Sequence, residues 1–521
     1  MGDVSLLTLE IHMTTILTSK IGVSKGVPRI WLEGRLCERA GLVIGSKYRI
    51  RHQVEDGRLE LIPVTESAGA ASTCRVSKRV RKGIERPLME IRTALLSSLF
   101  SGMEKVRVAI RKSRIVITAL QIEIKIRERV RRLKLKLAAK EKLNVVSLFH
   151  GGGVLDKALH AGLMAAGVAS VIQLGVEMEP EYLESSLRNN AELWADHSVA
   201  ACSDIRDLDL AELASEQADV IWAGVPCTGA SIAGVAKNGL EFAEAHAEVG
   251  SLFVDYLEAV RMFNPAVTLI ENVPGYQKSA SMAVIRSKLE SYGYQLFEEV
   301  LDGNEFGVLE GRSRLVLVAI SRGIETDFSF DNLCPTVVKP AVLGEVLEDV
   351  PVVSPMWKSY EYLVSKEERD RAAGKGFART MVTPDSVRIP TVTKSYAKAQ
   401  STGIFVVHPF NPALSRLLTP AEHARVKGIP LEMIAGLSVT VAHEVLGQSV
   451  VYPLFESLGR EIGLAVNVDG RDSCTVAELR SGLAARTQPS TPIGVAAAAI
   501  SVSSTGDGEM QQQQLFDIEA A

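Results

Sequence analysis

The chain has 521 residues, 46% of them hydrophobic and 23% charged, enough for more than one globular core. Mean hydropathy is +0.13, and no uncharged apolar run approaches the ~18 residues of a membrane-spanning helix, so a membrane partner is not expected. The formal charge is −4, but residues 75–142 hold 21 Lys/Arg against 6 Asp/Glu, a net +15 that leaves −19 for the rest and suggests a polyanion partner for that segment.

The N-terminal stretch MGDVSLLTLEIHMTT lacks a basic region followed by an apolar one, so no signal peptide is expected. The six cysteines (37, 74, 202, 227, 334 and 474) have neither zinc spacing nor a disulfide pattern; no metal is expected, and a reducing cytoplasm fits. Residues 14–63 read as short strands and turns, with Asp56-Gly57 as a hairpin turn. Residues 87–120 read as a worn second copy: Gly45 matches Gly102, Lys47 matches Lys105, and Arg58 matches Arg114. Two such units in tandem would make a pseudo-dimer within one chain. The first copy resembles swapped-hairpin DNA-binding domains of the AbrB/SymE type, through Pro28-x-Ile30-x-Leu32, Ala40-Gly41-Leu42, Gly45-x-Lys47 and Asp56-Gly57-x-Leu59.

A basic linker helix is expected over 121–143. Ile122, Ile126, Val130, Leu133 and Leu137 share one face; Arg127, Arg131, Lys134, Lys136 and Lys140 lie opposite. Strand-like runs then alternate with helical ones: 144–149, 171–177, 218–224, 266–273, 293–301 and 314–320. That is an α/β pattern with a mostly parallel sheet. Residues 322–412 break the alternation. A helix resumes at LTPAEHARVKGIP, with Thr419 and Glu422 as a capping box. Residues 466–521 thin into Ala, Ser, Thr and Gln and read as a disordered tail.

The chemistry sits at strand ends. SLFHGGGVLD places three glycines where backbone can approach a ligand, before a helix N-terminus. Glu177 ends the second strand, where a carboxylate can take ribose hydroxyls, and Asp204-Ile205 closes a third. No Walker lysine is present, so this reads as an adenosine pocket without phosphate grips. GVPCTGAS puts Cys227 in a turn just past an apolar strand, and Glu271-Asn272 end the next; a thiol nucleophile and a carboxylate would then be neighbours.

With these motifs in order over residues 144–460, the chain resembles the DNA (cytosine-5)-methyltransferases. LFHGGGVLD, VEME, SDI, GVPCTGAS, ENV, EFGVLEGRSR, RLLTPAEHARVKGIP and LGQSV each resemble a family motif. The resemblance implies an S-adenosylmethionine-dependent, Rossmann-like sheet with an inserted target-recognition domain, beside a small β-rich N-terminal domain. The expected layout is 1–120 β-rich repeats, 121–143 linker helix, 144–321 catalytic, 322–412 target recognition, 413–465 catalytic again, and 466–521 tail. It implies Cys227, Glu271, Arg312 and Arg314 as catalytic residues. Phe149, Gly151, Gly153, Glu177, Asp204, Ile205, Pro226 and Ser449 would hold S-adenosylmethionine.

The implied partner is double-stranded DNA, with a companion restriction endonuclease in a restriction–modification setting, in a bacterial cytoplasm near the nucleoid. In the recognition segment, Lys394, Tyr396 and Lys398 read as a loop gripping phosphates. Gln512–Phe516 fits a short sliding-clamp peptide. The chain departs from the family pattern at Ser147 (Asp is usual), Val154, Thr228, Ala230, Glu310 (Gln is usual) and Gln448 (Asn is usual). Two rivals stay in view: an RNA cytosine-5 methyltransferase, since the basic N-terminal region could bind RNA as readily as DNA, and a DNA-binding regulator whose catalysis has decayed, toward which the departures in the first and last motifs point.

Overall fold

The computed structural model describes residues 13–53, 57–64, 73–100, 103–226, 244 and 249–467. Ten strands build the N-terminal region: β1 (Thr15–Lys20), β2 (Gly22–Ser24), β3 (Val27–Glu33), β4 (Lys47–Gln53), β5 (Arg58–Val64), β6 (Thr73–Arg75), β7 (Ser77–Arg81), β8 (Ile84–Arg92), β9 (Lys105–Arg111) and β10 (Arg114–Ala119). They form a six-stranded sheet, β1-β9-β10-β5-β4-β6, and a four-stranded sheet, β2-β3-β8-β7. Alternate residues of both sheets meet in one core, including Ile30, Leu32, Leu59, Leu61, Met89, Val108 and Ile115.

The two halves exchange strands. β1 of the first half pairs with β9 of the second, and β6 of the second pairs with β4 of the first. Lys47 and Lys105 open equivalent strands, as do Arg58 and Arg114. Across β5 and β10 the pairs Leu61–Ile115 and Leu59–Ile117 interchange under a two-fold axis through Glu60–Val116. Across β3 and β8, Ile30–Ile91 and Leu32–Met89 interchange about Trp31–Glu90.

A helix, α1 (Gln121–Ala139), leads out of β10. Its Arg129, 1% exposed, donates to Ser321 Oγ (2.6 Å) and to the carbonyls of Tyr292 and Gly293, and stacks on the Tyr294 ring. Arg132 and Lys136 both bind the buried Asp219 (2.9 and 2.6 Å). So part of the basic character expected to face solvent or phosphates instead fixes the helix to the following domain. Arg127, Arg131, Lys134 and Lys140 stay exposed.

The second domain is a seven-stranded sheet. In chain order its strands are β11 (Leu143–Leu148), β12 (Ser170–Glu177), β13 (Val199–Cys202), β14 (Val220–Gly224), β15 (Val267–Asn272), β16 (Tyr294–Asp302) and β17 (Ser313–Ser321). The spatial order is β13-β12-β11-β14-β15-β17-β16. Strands β11 to β15 are parallel, and β17 is antiparallel to both neighbours. The link from β16 to β17 is too short for a crossover, which takes about a dozen residues, so the chain must double back.

Successive strand residues feed opposite layers. Val145 and Trp222 pack with the helices 154–165 and 452–466; Val146 and Ile221 pack with 252–263 and 280–291. The strand order reverses between β11 and β14, and a crevice for ligand forms at such a switch point, past the strands' C-terminal ends.

A separate small core gathers Leu343, Val382, Ile389, Val392, Tyr396, Ile404 and Val406, together with Leu309, Leu418 and Val426 from outside 322–412. Ser415–Arg416 pairs with Ile404–Val407, so this core reaches past residue 412. The helix Pro420–Arg425 begins with the expected capping box. Among the described residues no helix is long and apolar enough to cross a membrane. The tail from 468 and the clamp-like Gln512–Phe516 lie outside the described residues.

Candidate active site

The turn after β11 is built on left-handed backbone: Phe149 has φ +58°, Gly151 +59° and Gly153 +76°. Phe149 adopts this without glycine's freedom, which is costly and concentrates at functional sites. Glu177, at the end of β12, accepts from Gly151 N (2.6 Å) with one oxygen and from Met178 N and Glu179 N with the other. A carboxylate has about four lone-pair sites, so one remains for a hydroxyl. These two neighbours across the sheet edge suit an adenosine ribose. Asp204 accepts from Arg206 through backbone and guanidinium, with Oδ1 2.9 Å from Nε, and Ile205 beside it is buried. Ser449 ends the helix 439–448 and donates to Leu446 O (2.7 Å).

Beneath this turn lies a network that sequence reading missed. Asp156, 1% exposed, accepts from Ser147 Oγ (2.8 Å) and Trp222 Nε1 (3.1 Å) and pairs with His150 Nδ1 (3.0 Å). Burial alone would raise its carboxyl; His150, His160 and the Ser147 hydrogen bond outweigh that and hold it below the usual range. Ser147 stands where the resembling family carries Asp, and Asp156 brings a carboxylate to the same spot. The signal was in view, since Asp156 ends the quoted GGGVLD run.

At the other side of the crevice, Arg314 Nε lies 2.7 Å from Glu271 Oε1, each side chain nearly enclosed. β15 and β17 are adjacent, which brings the two together. Gly224, at the end of β14, lies between Glu271 and the 149–153 turn: a methyl placed there would stand 3.7 Å from Glu271 Oε2 and 3.9 Å from Phe149 O. Asn272 Nδ2 donates to Val225 O (3.1 Å), and its Oδ1 accepts from Val273 N. It ties the Glu271 strand to the loop through Val225 and Pro226. Cys227, the expected nucleophile, follows Pro226 and lies outside the described residues, as do Thr228 and Ala230.

Arg312 and Tyr396 are both enclosed. Arg312 is 4% exposed and is held at the end of the 439–448 helix. It donates to Gly447 O and Gln448 O (3.2 and 3.3 Å) and pairs with Glu310 at 3.6 Å. A cation there meets the unsatisfied carbonyls and negative end of the 439–448 helix. Tyr396 is 1% exposed and belongs to the small core; its hydroxyl donates to Ile404 O and accepts from Leu418 N. Its ring is core mass, which one polar, basic stretch of sequence could not show. Lys394 and Lys398 are exposed, and Lys394 Nζ sits 4.8 Å from the Tyr182 ring.

Behind Arg312 lies a second missed cluster. Lys427, wholly buried, faces Glu310 Oε2 at 3.3 Å, and His423 Nδ1 meets His443 Nδ1 at 3.0 Å. Burial pushes the Lys427 ammonium down to about 7, helped by Arg312 and opposed by Glu310.

Residues 143–464 match the family model described as C-5 cytosine-specific DNA methylase. The chain belongs to this family. Within it, the chain is 29% identical over 274 residues to type II methyltransferase M.NlaX of Neisseria lactamica, covering 51% of this chain and 82% of that one. It is 27% identical over 268 residues to M.HpaII of Haemophilus parainfluenzae, covering 47% and 72%. The fold also matches the S. pombe Dnmt2 methyltransferase structure, with a TM-score of 0.50 and 21% identity over 62% of this chain and 98% of that one. This family is the one that the motifs resembled, and its fold is the Rossmann-like α/β sheet. The N-terminal strands precede the matched residues.

Proposed function

We propose that this chain transfers a methyl group to C5 of cytosine in double-stranded DNA. The observation that carries the reading is the Glu271–Arg314 pair, tied through Asn272 to the loop that leads into Cys227. S-adenosylmethionine would supply an electrophilic methyl group, held by the 149–153 turn and Glu177.

Cytosine C5 is a weak nucleophile. The Cys227 thiolate adds to C6, and the electron pair of the C5–C6 double bond would then form the new C5–methyl bond as the methyl's bond to the donor sulfur breaks, the sulfur keeping that pair and leaving as a neutral thioether. Loss of the C5 proton restores the double bond and expels the thiolate. Glu271 holds N3 and the exocyclic amine, and Arg314 orients Glu271 and reaches the ring oxygen where charge develops. The target atom is shielded in a stacked duplex, so the base must flip out, at a cost of a few kcal/mol. Residues 322–412 would choose the sequence, with Lys394 and Lys398 on phosphates.

The test is transfer of tritiated methyl from S-adenosylmethionine to duplex DNA, duplex RNA or tRNA, comparing wild type with Cys227→Ser. Label in DNA that the variant loses supports the reading. Label in RNA alone, or none anywhere, overturns it.

A further inference from the structure

Directly opposed residues in an antiparallel sheet point to the same face. On the six-stranded sheet one face is the core. The other carries Lys47, Arg49, Arg51, Lys105, Arg107 and Arg111, with Lys20 and Arg75 on the edge strands. Six of these eight fall into pairs related by the internal two-fold: Lys47 with Lys105, Arg49 with Arg107, and Lys20 with Arg75; Arg51 and Arg111 correspond to Ala109 and Gln53. All are exposed except Arg49, which is half-buried. Among the described residues none of the six forms an ion pair. Glu60, on the axis, is the one carboxylate among the described strand residues of this face. It is 7% exposed and already bound by Arg58, at 2.5 Å, and by Arg114. The outer face of the four-stranded sheet differs: there Glu90 pairs with Arg29, and Glu33 with Arg79 and Arg81.

We propose that the outer face of the six-stranded sheet is a second docking surface for double-stranded DNA, separate from the catalytic crevice. The charge is of one sign and uncompensated, which fits a phosphate backbone. The two-fold arrangement selects a duplex, because the strands of a duplex are related by dyads across the helix axis and a single strand has none. Six strands at about 4.8 Å spacing make a face roughly 24 Å wide. At about 3.4 Å per phosphate along a strand, that spans about seven phosphates. The choice of DNA over duplex RNA rests on the proposed substrate.

The test is binding of the full chain to a fluorescein-labelled 20-base-pair DNA duplex, read by anisotropy across salt concentrations. Three variants are compared: Lys47→Gln/Arg49→Gln, its two-fold mate Lys105→Gln/Arg107→Gln, and the quadruple combination. Each phosphate contact contributes about 0.9 to the slope of log K against log salt. The expected result is a slope smaller by about 2 in each double variant and by about 3–4 in the quadruple one. Arg86→Gln/Arg92→Gln, on the other sheet, should leave the slope unchanged, and circular dichroism of each variant should match wild type. An unchanged slope in all three overturns the proposal. So does a loss confined to one half, or tighter and equally variant-sensitive binding to duplex RNA of the same sequence. The assay involves no methyl transfer: a chain that binds by this face but transfers no methyl group leaves this surface standing and sinks the catalytic reading alone.

Discussion

Glu271 and the two arginines after it look alike in sequence and differ in place. Arg314 meets Glu271 across adjacent strands, while Arg312 turns back to the carbonyls of Gly447 and Gln448. Their losses should therefore read out differently. Glu271→Gln weakens the hold on N3 and the exocyclic amine while the thiolate adds to C6, and methyl transfer should fall about 10²–10⁴-fold with the melting temperature nearly unchanged. Arg312→Met instead leaves the carbonyls of Gly447 and Gln448 without their charged donor and leaves Glu310 only Lys427 of its two cations. It should destabilise the fold by about 3 kcal/mol in urea titrations, whereas Arg314→Met should lower transfer with a smaller effect on stability. Equal stability losses for the two arginine variants would refute this division of labour. Asn272 and Asp156 were equally open to view in ENV and GGGVLD. What they bond to was not, because their partners lie 47 and 66 residues away.

At the scale of elements, the helix 121–139 shows how pattern and placement part company. Its apolar spacing is helical, but its cations do not share one fate. Arg129 is swallowed at the corner of β16 and β17, where it caps two carbonyls and stacks on Tyr294. Arg129→Met should cost about 2–4 kcal/mol, since hydrogen bonds to a charged donor are lost and the carbonyls are left dry. Chemical denaturation would measure it, with Arg131→Met, on the exposed side, changing little. The same logic separates Lys398 from Tyr396, two residues apart: one is exposed, the other is the centre of a small core.

For the whole molecule, the buried histidines set an acid limit. Burial pushes His160 and His443 down to about 4, and His423 well below its usual value, with Lys427 adding to the effect there. In the unfolded chain each would protonate near ~6.5. Between about 6.5 and 4 the unfolded state binds more protons, so stability falls as pH falls through that window. Asp156, held low, acts in the same direction at still lower pH. Thermal melts from pH 7.5 to 4.5 should show a steady decline, shallower in His443→Gln; identical slopes would exclude His443 as a contributor.

What is local or periodic was legible along the chain. Strand and helix positions follow from alternation and spacing, the capping box from Thr419 and Glu422, and the family from short motifs that must lie at strand ends to work. The matching of Lys47 with Lys105 and Arg58 with Arg114 was also readable. Which strands exchange, which arginine reaches Glu271, and which face of the N-terminal sheet keeps its charge unpaired came from the folded arrangement. Each of these depends on register between segments far apart in the chain. A shift of one residue in a strand turns every side chain to the opposite face, and no local pattern records that choice.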